Sequence, residues 1–150
     1  MDFLPELSLS ATSASTVCLS AFKGRKLVLY FYPKDSTPGC PTAGRDFSRL
    51  HAECEGGGAV VLGVSRDSMK SHENFKCKHA FPFELLSDTD EKLCEAFGVI
   101  KLKKMYGKEV RGIERSTFVF AADGRLVREW RGVKVDGHAQ EVLDYVRGLN

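Results

Sequence analysis

Residues 27–40 read LVLYFYPKDSTPGC, and residues 41–54 continue PTAGRDFSRLHAEC. The first six residues are a short, unbroken apolar run rich in aromatics, the pattern of a strand buried on both faces. Residues 33–39 carry two prolines, an Asp-Ser-Thr cluster and a glycine, which is turn chemistry. Phe47, Leu50 and Cys54 then recur at spacings of three and four, predicting a helix over 41–54 that Gly56–Gly58 ends. Cys40 stands at the junction, with Pro41 behind it. Proline suits the first helical position because its missing N–H would be unpaired there anyway. Cys40 therefore falls at or beside the helix start, where unpaired N–H groups and the positive end of the helix dipole favour thiolate over thiol. A fall in pKa from ~8.5 to ~6 would raise the thiolate fraction at neutral pH roughly thirty-fold.

The same alternation continues outward. A second buried strand is predicted at 59–65, a helix at 67–79 after an Asp67/Ser68 start, and a short strand near 84–86. Ser87-Asp88 reads as a cap for a helix over 90–97 that Gly98 closes. Residues 100–112, with Lys101, Lys103, Lys104 and Lys108 among glycines, read as an exposed loop. Strands at 116–121 and 125–131 around Ala122-Asp123-Gly124 make a hairpin. A final helix over about 138–148 puts Val142, Leu143, Val146 and Leu149 on one side. The order β-α-β-α-β-α-β-β-α implies an α/β fold, with a central mixed β-sheet flanked by helices on both faces. It fits a thioredoxin-like layout in a single domain, 1–150.

Composition narrows the class. A chain of 150 residues with 43% hydrophobic content supports one core and is tight for two. Its 22 basic and 20 acidic residues leave a net charge of +2, which speaks against a nucleic-acid binder. No apolar run approaches the ~20 residues of a membrane span, and the N-terminus lacks the pattern of a secretory signal. A cytoplasmic protein without membrane or nucleic-acid partners is expected. The five cysteines, Cys18, Cys40, Cys54, Cys77 and Cys94, are an odd number without a C-x-x-C pair. That fits neither a disulfide framework nor a structural zinc site. Most of them read as small buried hydrophobes. Cys40 differs by its place.

Its neighbours add to the chemistry. The Thr37 hydroxyl can hydrogen-bond the sulfur or an approaching oxygen, and Pro33 and Pro38 stiffen the turn. Arg115, just before STFVF, is the candidate cation at a strand end. The blander readings are an incidental turn cysteine and a solvated arginine. Together, FYPKDSTPGC resembles the active-site loop of the peroxiredoxins, with Pro33, Thr37 and Cys40 matching position for position. ERSTFVFAADG resembles the strand and turn that bear the family's arginine, here Arg115. FPFELLSDTDEKLCEAFGV and MYGKEVRGIERSTF are similar to the bacterioferritin-comigratory-protein (PrxQ) branch. The chain departs from that branch at Pro41 and Ala43, where many members carry threonine and an acidic residue.

The resemblance implies a thiol peroxidase without metal or cofactor, acting on hydrogen peroxide and organic hydroperoxides through a Cys40 sulfenic acid. Arg115, Thr37 and backbone N–H groups would hold the peroxide oxygens. Within the branch, one resolving-cysteine position is Arg45 here and so is closed. Another, in the helix after the second buried strand, offers Cys77, whose surroundings HENFKCKHA suit an exposed thiol. Cys94 and Cys18 read as buried, and Cys54 as out of reach. An external thiol is the alternative resolver, and the expected reductant is thioredoxin or a glutaredoxin-type dithiol acting on a monomer. A disulfide exchanger would need C-x-x-C, and a single-turnover thiol sensor would share Cys40. Gly56–Gly58 follows a helix and precedes a strand, the reverse of a phosphate loop. Asp88 and Asp90 read as helix capping rather than calcium ligands, and His51, His72, His79 and His138 as surface residues.

Overall fold

The computed structural model describes residues 8–12, 15–19, 24–32, 44–48, 59–79, 81, 83–105, 107–134 and 137–148. Its centre is β3 (Lys26–Phe31), whose residues from Leu27 onward are all buried. On one side β3 pairs in parallel with β4 (Ala59–Ser65), which pairs in parallel with β5 (Glu84–Ser87). On the other it pairs antiparallel with β8 (Ser116–Phe120), followed by β9 (Leu126–Arg131). An N-terminal hairpin of β1 (Ser8–Ala11) and β2 (Ser15–Cys18) completes the seven-stranded order β2-β1-β5-β4-β3-β8-β9. The sheet is mixed, as the sequence predicts.

Alternation along β3 divides the core. Leu27, Leu29 and Phe31 face Leu93, Cys94 and Phe97 of and beside α3 (Lys92–Ala96). Val28, Tyr30 and Tyr32 face the opposite layer. There they meet Phe47 of α1, helical over 44–48, Phe75 of α2 (Met69–His79), and Val142, Leu143 and Val146 of α4 (His138–Arg147). Helices thus cover both faces, and each face buries its own apolar cluster, the largest stabilising contribution to such a fold.

Local signals account for the element ends. The Ser68 hydroxyl accepts the Ser71 N–H at 3.2 Å and caps α2. The Asp88 carboxylate accepts from Leu93 N at 3.1 Å and Cys94 N at 2.7 Å, so the expected cap of α3 forms from within the core. Gly124, at φ +88°, turns β8 into β9.

One expected element is corrected. Residues 100–112 are not a loop but the bulk of an antiparallel hairpin, β6 (Ile100–Met105) and β7 (Lys108–Ile113), turned at Gly107 with φ +76°. Among the described residues this hairpin pairs with no strand of the main sheet. Its dense lysines obscure the period-two pattern by which a half-buried strand is read.

Candidate active site

Two strand ends lie side by side here. Phe31 pairs with Ser116, so the residue that leaves β3, Tyr32, lies beside the residue that enters β8, Arg115. The Tyr32 N–H donates to Val64 O at 3.0 Å, continuing the β3–β4 ladder, and Val133 N–H donates to Arg115 O at 3.0 Å from the other flank. The backbone at Arg115 is therefore fixed by register and by a bond from the segment after β9. The segment 33–43 joins Tyr32 to α1. Pro33, Thr37 and Cys40 fall within it and lie outside the described residues; Cys54, beyond α1, lies outside them too.

What the structure describes is the frame at both ends of that segment. A small cavity is lined by Tyr30 and Phe31 from β3, Asp46 and Phe47 from α1, Arg115 and Thr117 from β8, and His138 and Ala139 from α4. Phe47 stacks on Tyr30 with centroids 4.8 Å apart, seating α1 on the sheet. Arg115 is half-buried, and its Nη1 is shut off from solvent. Asp46 faces the same space with the opposite charge.

Cys77 is exposed in the last turn of α2. Lys76 pairs with Glu84 at 2.7 Å, and Arg45 Nη2 donates to His79 Nδ1 at 3.3 Å. That contact joins α1 to the final turn of α2, two residues beyond Cys77. Burial, then the positive charges of Arg45 and Lys78, hold His79 below the ordinary imidazole pKa, which keeps its nitrogen available to the guanidinium. Gly44 strengthens the junction, since a Cβ there would stand 2.3 Å from Phe81 Cζ.

The other cysteines separate by environment. Cys94 is buried, and desolvation together with its hydrogen bond to Asp88 raises its thiol well above the usual range, so it stays protonated and inert. Cys18 is half-buried, more open than its strand-like context predicts.

Two histidines expected at the surface lie inside. His72 is buried, its Nε2–H donating to Leu86 O at 2.9 Å, with Nδ1 3.4 Å from the Tyr32 hydroxyl. His138 is also buried, with Nε2 2.7 Å from Thr117 Oγ1. The sequence reading missed His138, Thr117 and Asp46. A signal existed for the first, because spacings of four and eight to Val142 and Val146 put His138 on the apolar face of its helix. Among the described residues no group of three His, Cys, Asp or Glu side chains could hold a metal, and no helix is long and apolar enough to cross a membrane.

Comparison with known proteins follows the same lines. The pattern of the AhpC/TSA family matches residues 1–129. Peroxiredoxin Bcp of Xanthomonas campestris pv. campestris is 57% identical over 138 residues, 92% of this chain and 86% of that protein. Peroxiredoxin Bcp of Bacillus subtilis is 51% identical over 146 residues, 97% of this chain and 93% of that one. Among solved structures, the bacterioferritin comigratory protein of Xanthomonas campestris, studied for alkyl peroxide reduction, superposes with a TM-score of 0.92 at 54% identity. The match covers 97% of this chain and 95% of that one. A cysteine-to-serine mutant of Xylella fastidiosa PrxQ also gives 0.92, at 50% identity over 97% and 90% of the two chains.

Proposed function

The chain belongs to the AhpC/TSA family and is a thiol-dependent peroxidase of the thioredoxin fold, and on that premise we propose that Cys40 is its peroxidatic nucleophile, served by Pro33, Thr37 and Arg115. The observation that carries this is the register at Phe31 and Ser116. It fixes Arg115 beside the exit of β3, eight residues before Cys40, and the cavity Arg115 lines is shared with Asp46 and Phe47 of α1, six and seven residues after it.

The Cys40 thiolate attacks one oxygen of the hydroperoxide, the O–O bond breaks, and the sulfur becomes a sulfenic acid while the departing alkoxide or hydroxide takes up a proton. Arg115 and the Thr37 hydroxyl stabilise the charge that builds on the leaving oxygen, and Pro33 limits water around the sulfur. The reduction of alkyl peroxides by the Xanthomonas campestris relative supports organic hydroperoxides as substrates beside hydrogen peroxide.

Cys77 then displaces the sulfenic hydroxyl, forming a disulfide and releasing water, and a dithiol donor of the thioredoxin or glutaredoxin type restores both thiols. Two features support Cys77. It is exposed, and the last turn of its helix touches α1 through Arg45 and His79. Mutants of the Xanthomonas campestris peroxiredoxin Q have also been solved with cysteines replaced at two positions, whose separation differs by one residue from that of Cys40 and Cys77. A disulfide needs α-carbons within ~7 Å, a separation two helices of a folded domain seldom offer, so local unwinding around both cysteines is expected on oxidation.

The chain is read as one domain working as a monomer, since Leu102, 68% exposed, is the one large hydrophobic side chain exposed among the described residues. The cytoplasm, where thiols are kept reduced, suits the free Cys77 and Cys94. The test is hydroperoxide consumption with a dithiol reductant. Cys40→Ser abolishes it, and a variant that still turns over removes the assignment. Cys77→Ser abolishes thioredoxin-dependent turnover but leaves the first oxidation intact, whereas undiminished turnover assigns resolution to an external thiol.

A further inference from the structure

We propose that His138 is a positioning residue for Arg115: as a neutral imidazole it anchors the Thr117 hydroxyl on the strand that starts right after Arg115, and its protonation shifts the guanidinium away from the incoming hydroperoxide. The proposal rests on the reading of Arg115 as the substrate-gripping cation.

The geometry is compact. Arg115 and Thr117 are two residues apart where the chain enters β8, so they project from the same face of the sheet. His138, the first residue of α4, packs over that face and lines the same cavity as both. Its Nε2 lies 2.7 Å from Thr117 Oγ1. Phe47 of α1 and Trp130 of β9 meet its ring edge-on, at 6.2 Å and 5.7 Å between centroids. The imidazole is thus held from α1, β8 and β9 at once, and with only 8% of its surface exposed it has little room to turn.

The charges around it come from each of these elements. Glu141, on its own helix, places a carboxylate oxygen 4.0 Å from Nδ1. Arg115 faces it from the start of β8, Asp46 from α1, and Arg128 of β9 lies over the Trp130 ring at 5.0 Å. The Glu141 carboxylate favours the tautomer with its proton on Nδ1, which leaves Nε2 to accept from the Thr117 hydroxyl. Burial is the largest influence on the titration of His138 and pushes its pKa down. Glu141 opposes this, and Arg115 adds to it. The working form at neutral pH is therefore uncharged. Taking up a proton makes Nε2 a donor, forces the Thr117 hydroxyl to turn round, and sets a second cation beside the guanidinium.

Two reagents acting on Cys40 separate this from a general effect on the thiol. Iodoacetamide reads thiolate alone, whereas hydrogen peroxide needs thiolate and a correctly placed Arg115. The ratio of the two rate constants cancels the thiolate fraction. In the wild-type protein that ratio falls about tenfold as the pH is lowered from about 7.5 to about 5. The midpoint matches the quenching of fluorescence from Trp130, the chain's single tryptophan, as the adjoining imidazole becomes charged. His138→Gln keeps a polar group towards Thr117 but cannot titrate, so its ratio is flat with pH and its fluorescence step disappears. Thr117→Val lowers the ratio about tenfold at every pH.

A pH-independent ratio in the wild type overturns the proposal, as does an unchanged slope in His138→Gln or a wild-type ratio in Thr117→Val. The Cys40→Ser control distinguishes the two levels. Peroxide removal that survives it overturns the site itself, whereas a flat wild-type ratio overturns only the role of His138.

Discussion

Replacing Gly44 by alanine sets two effects of known size against each other. Within a helix the change is favourable by about 1 kcal/mol on conformational grounds. At this position the added Cβ would stand 2.3 Å from Phe81 Cζ and 2.8 Å and 2.9 Å from the neighbouring ring carbons. Unstrained carbon contacts lie at ~3.5–4.0 Å, so the ring or the helix must move by more than ~1 Å. The ring is not free to do so. Phe81 stacks on Phe83 at 5.3 Å and on His79 at 5.6 Å, and Phe75 meets it edge-on at 5.2 Å. Overpacking a confined site costs about 1–3 kcal/mol, and confinement on three sides places this case in the upper half of that range. The expected net loss is therefore about 1–2 kcal/mol, measured by urea unfolding. Gly44→Ala combined with Phe81→Leu recovers most of the loss, a coupling of about 1–2 kcal/mol in a double-mutant cycle. An alanine variant as stable as its parent, or a cycle without coupling, refutes the reasoning.

Three further outcomes follow from the buried polar groups. Asp88→Ala strips Leu93 N and Cys94 N of a buried carboxylate acceptor and destabilises the protein by about 2–3 kcal/mol in urea unfolding, with α3 the first element to lose amide-exchange protection. N-ethylmaleimide added to the native reduced protein labels Cys77 early and spares Cys94, whose thiol is raised by burial and Asp88, until the chain unfolds; mass spectrometry of the peptides reads the order, and early label on Cys94 counts against its burial. Thermal stability falls as the pH drops below 6.5, because the unfolded chain takes up a proton on residue 138 that the folded chain binds only at lower pH. His138→Gln makes that limb shallower, and an unaltered limb assigns the acid loss to other groups.

Much of the architecture was legible because its strongest elements carry their own pattern. The runs at 27–32 and 59–65 are apolar on both faces, so burial could be read directly from composition. Asp88 and the Asp-Gly turn declared themselves through local hydrogen-bonding chemistry. The β6–β7 hairpin did not, because among the described residues its strands pair only with each other and its sequence is dense in lysine. His72 and His138 escaped for a different reason. A histidine is as compatible with solvent as with a satisfied interior, and its partners, Leu86 O and Tyr32 for one and Thr117 for the other, are distant in sequence. For Cys77 the sequence pointed to an exposed thiol, but its closeness to α1 depends on how Arg45 and His79 meet in space.

The β6–β7 arm leaves the body of the protein and returns to it at nearly one place, since Glu114 N–H donates to Val99 O at 2.7 Å. The next residue is Arg115, whose backbone is secured by its register beside β3 and by Val133 after β9 rather than by the arm. Insertions and deletions within the arm are thereby insulated from the guanidinium. Homologues can lengthen, shorten or recharge this appendage while the chemistry at the strand ends stays in place, so it is a site at which the lineage can diversify at little catalytic risk.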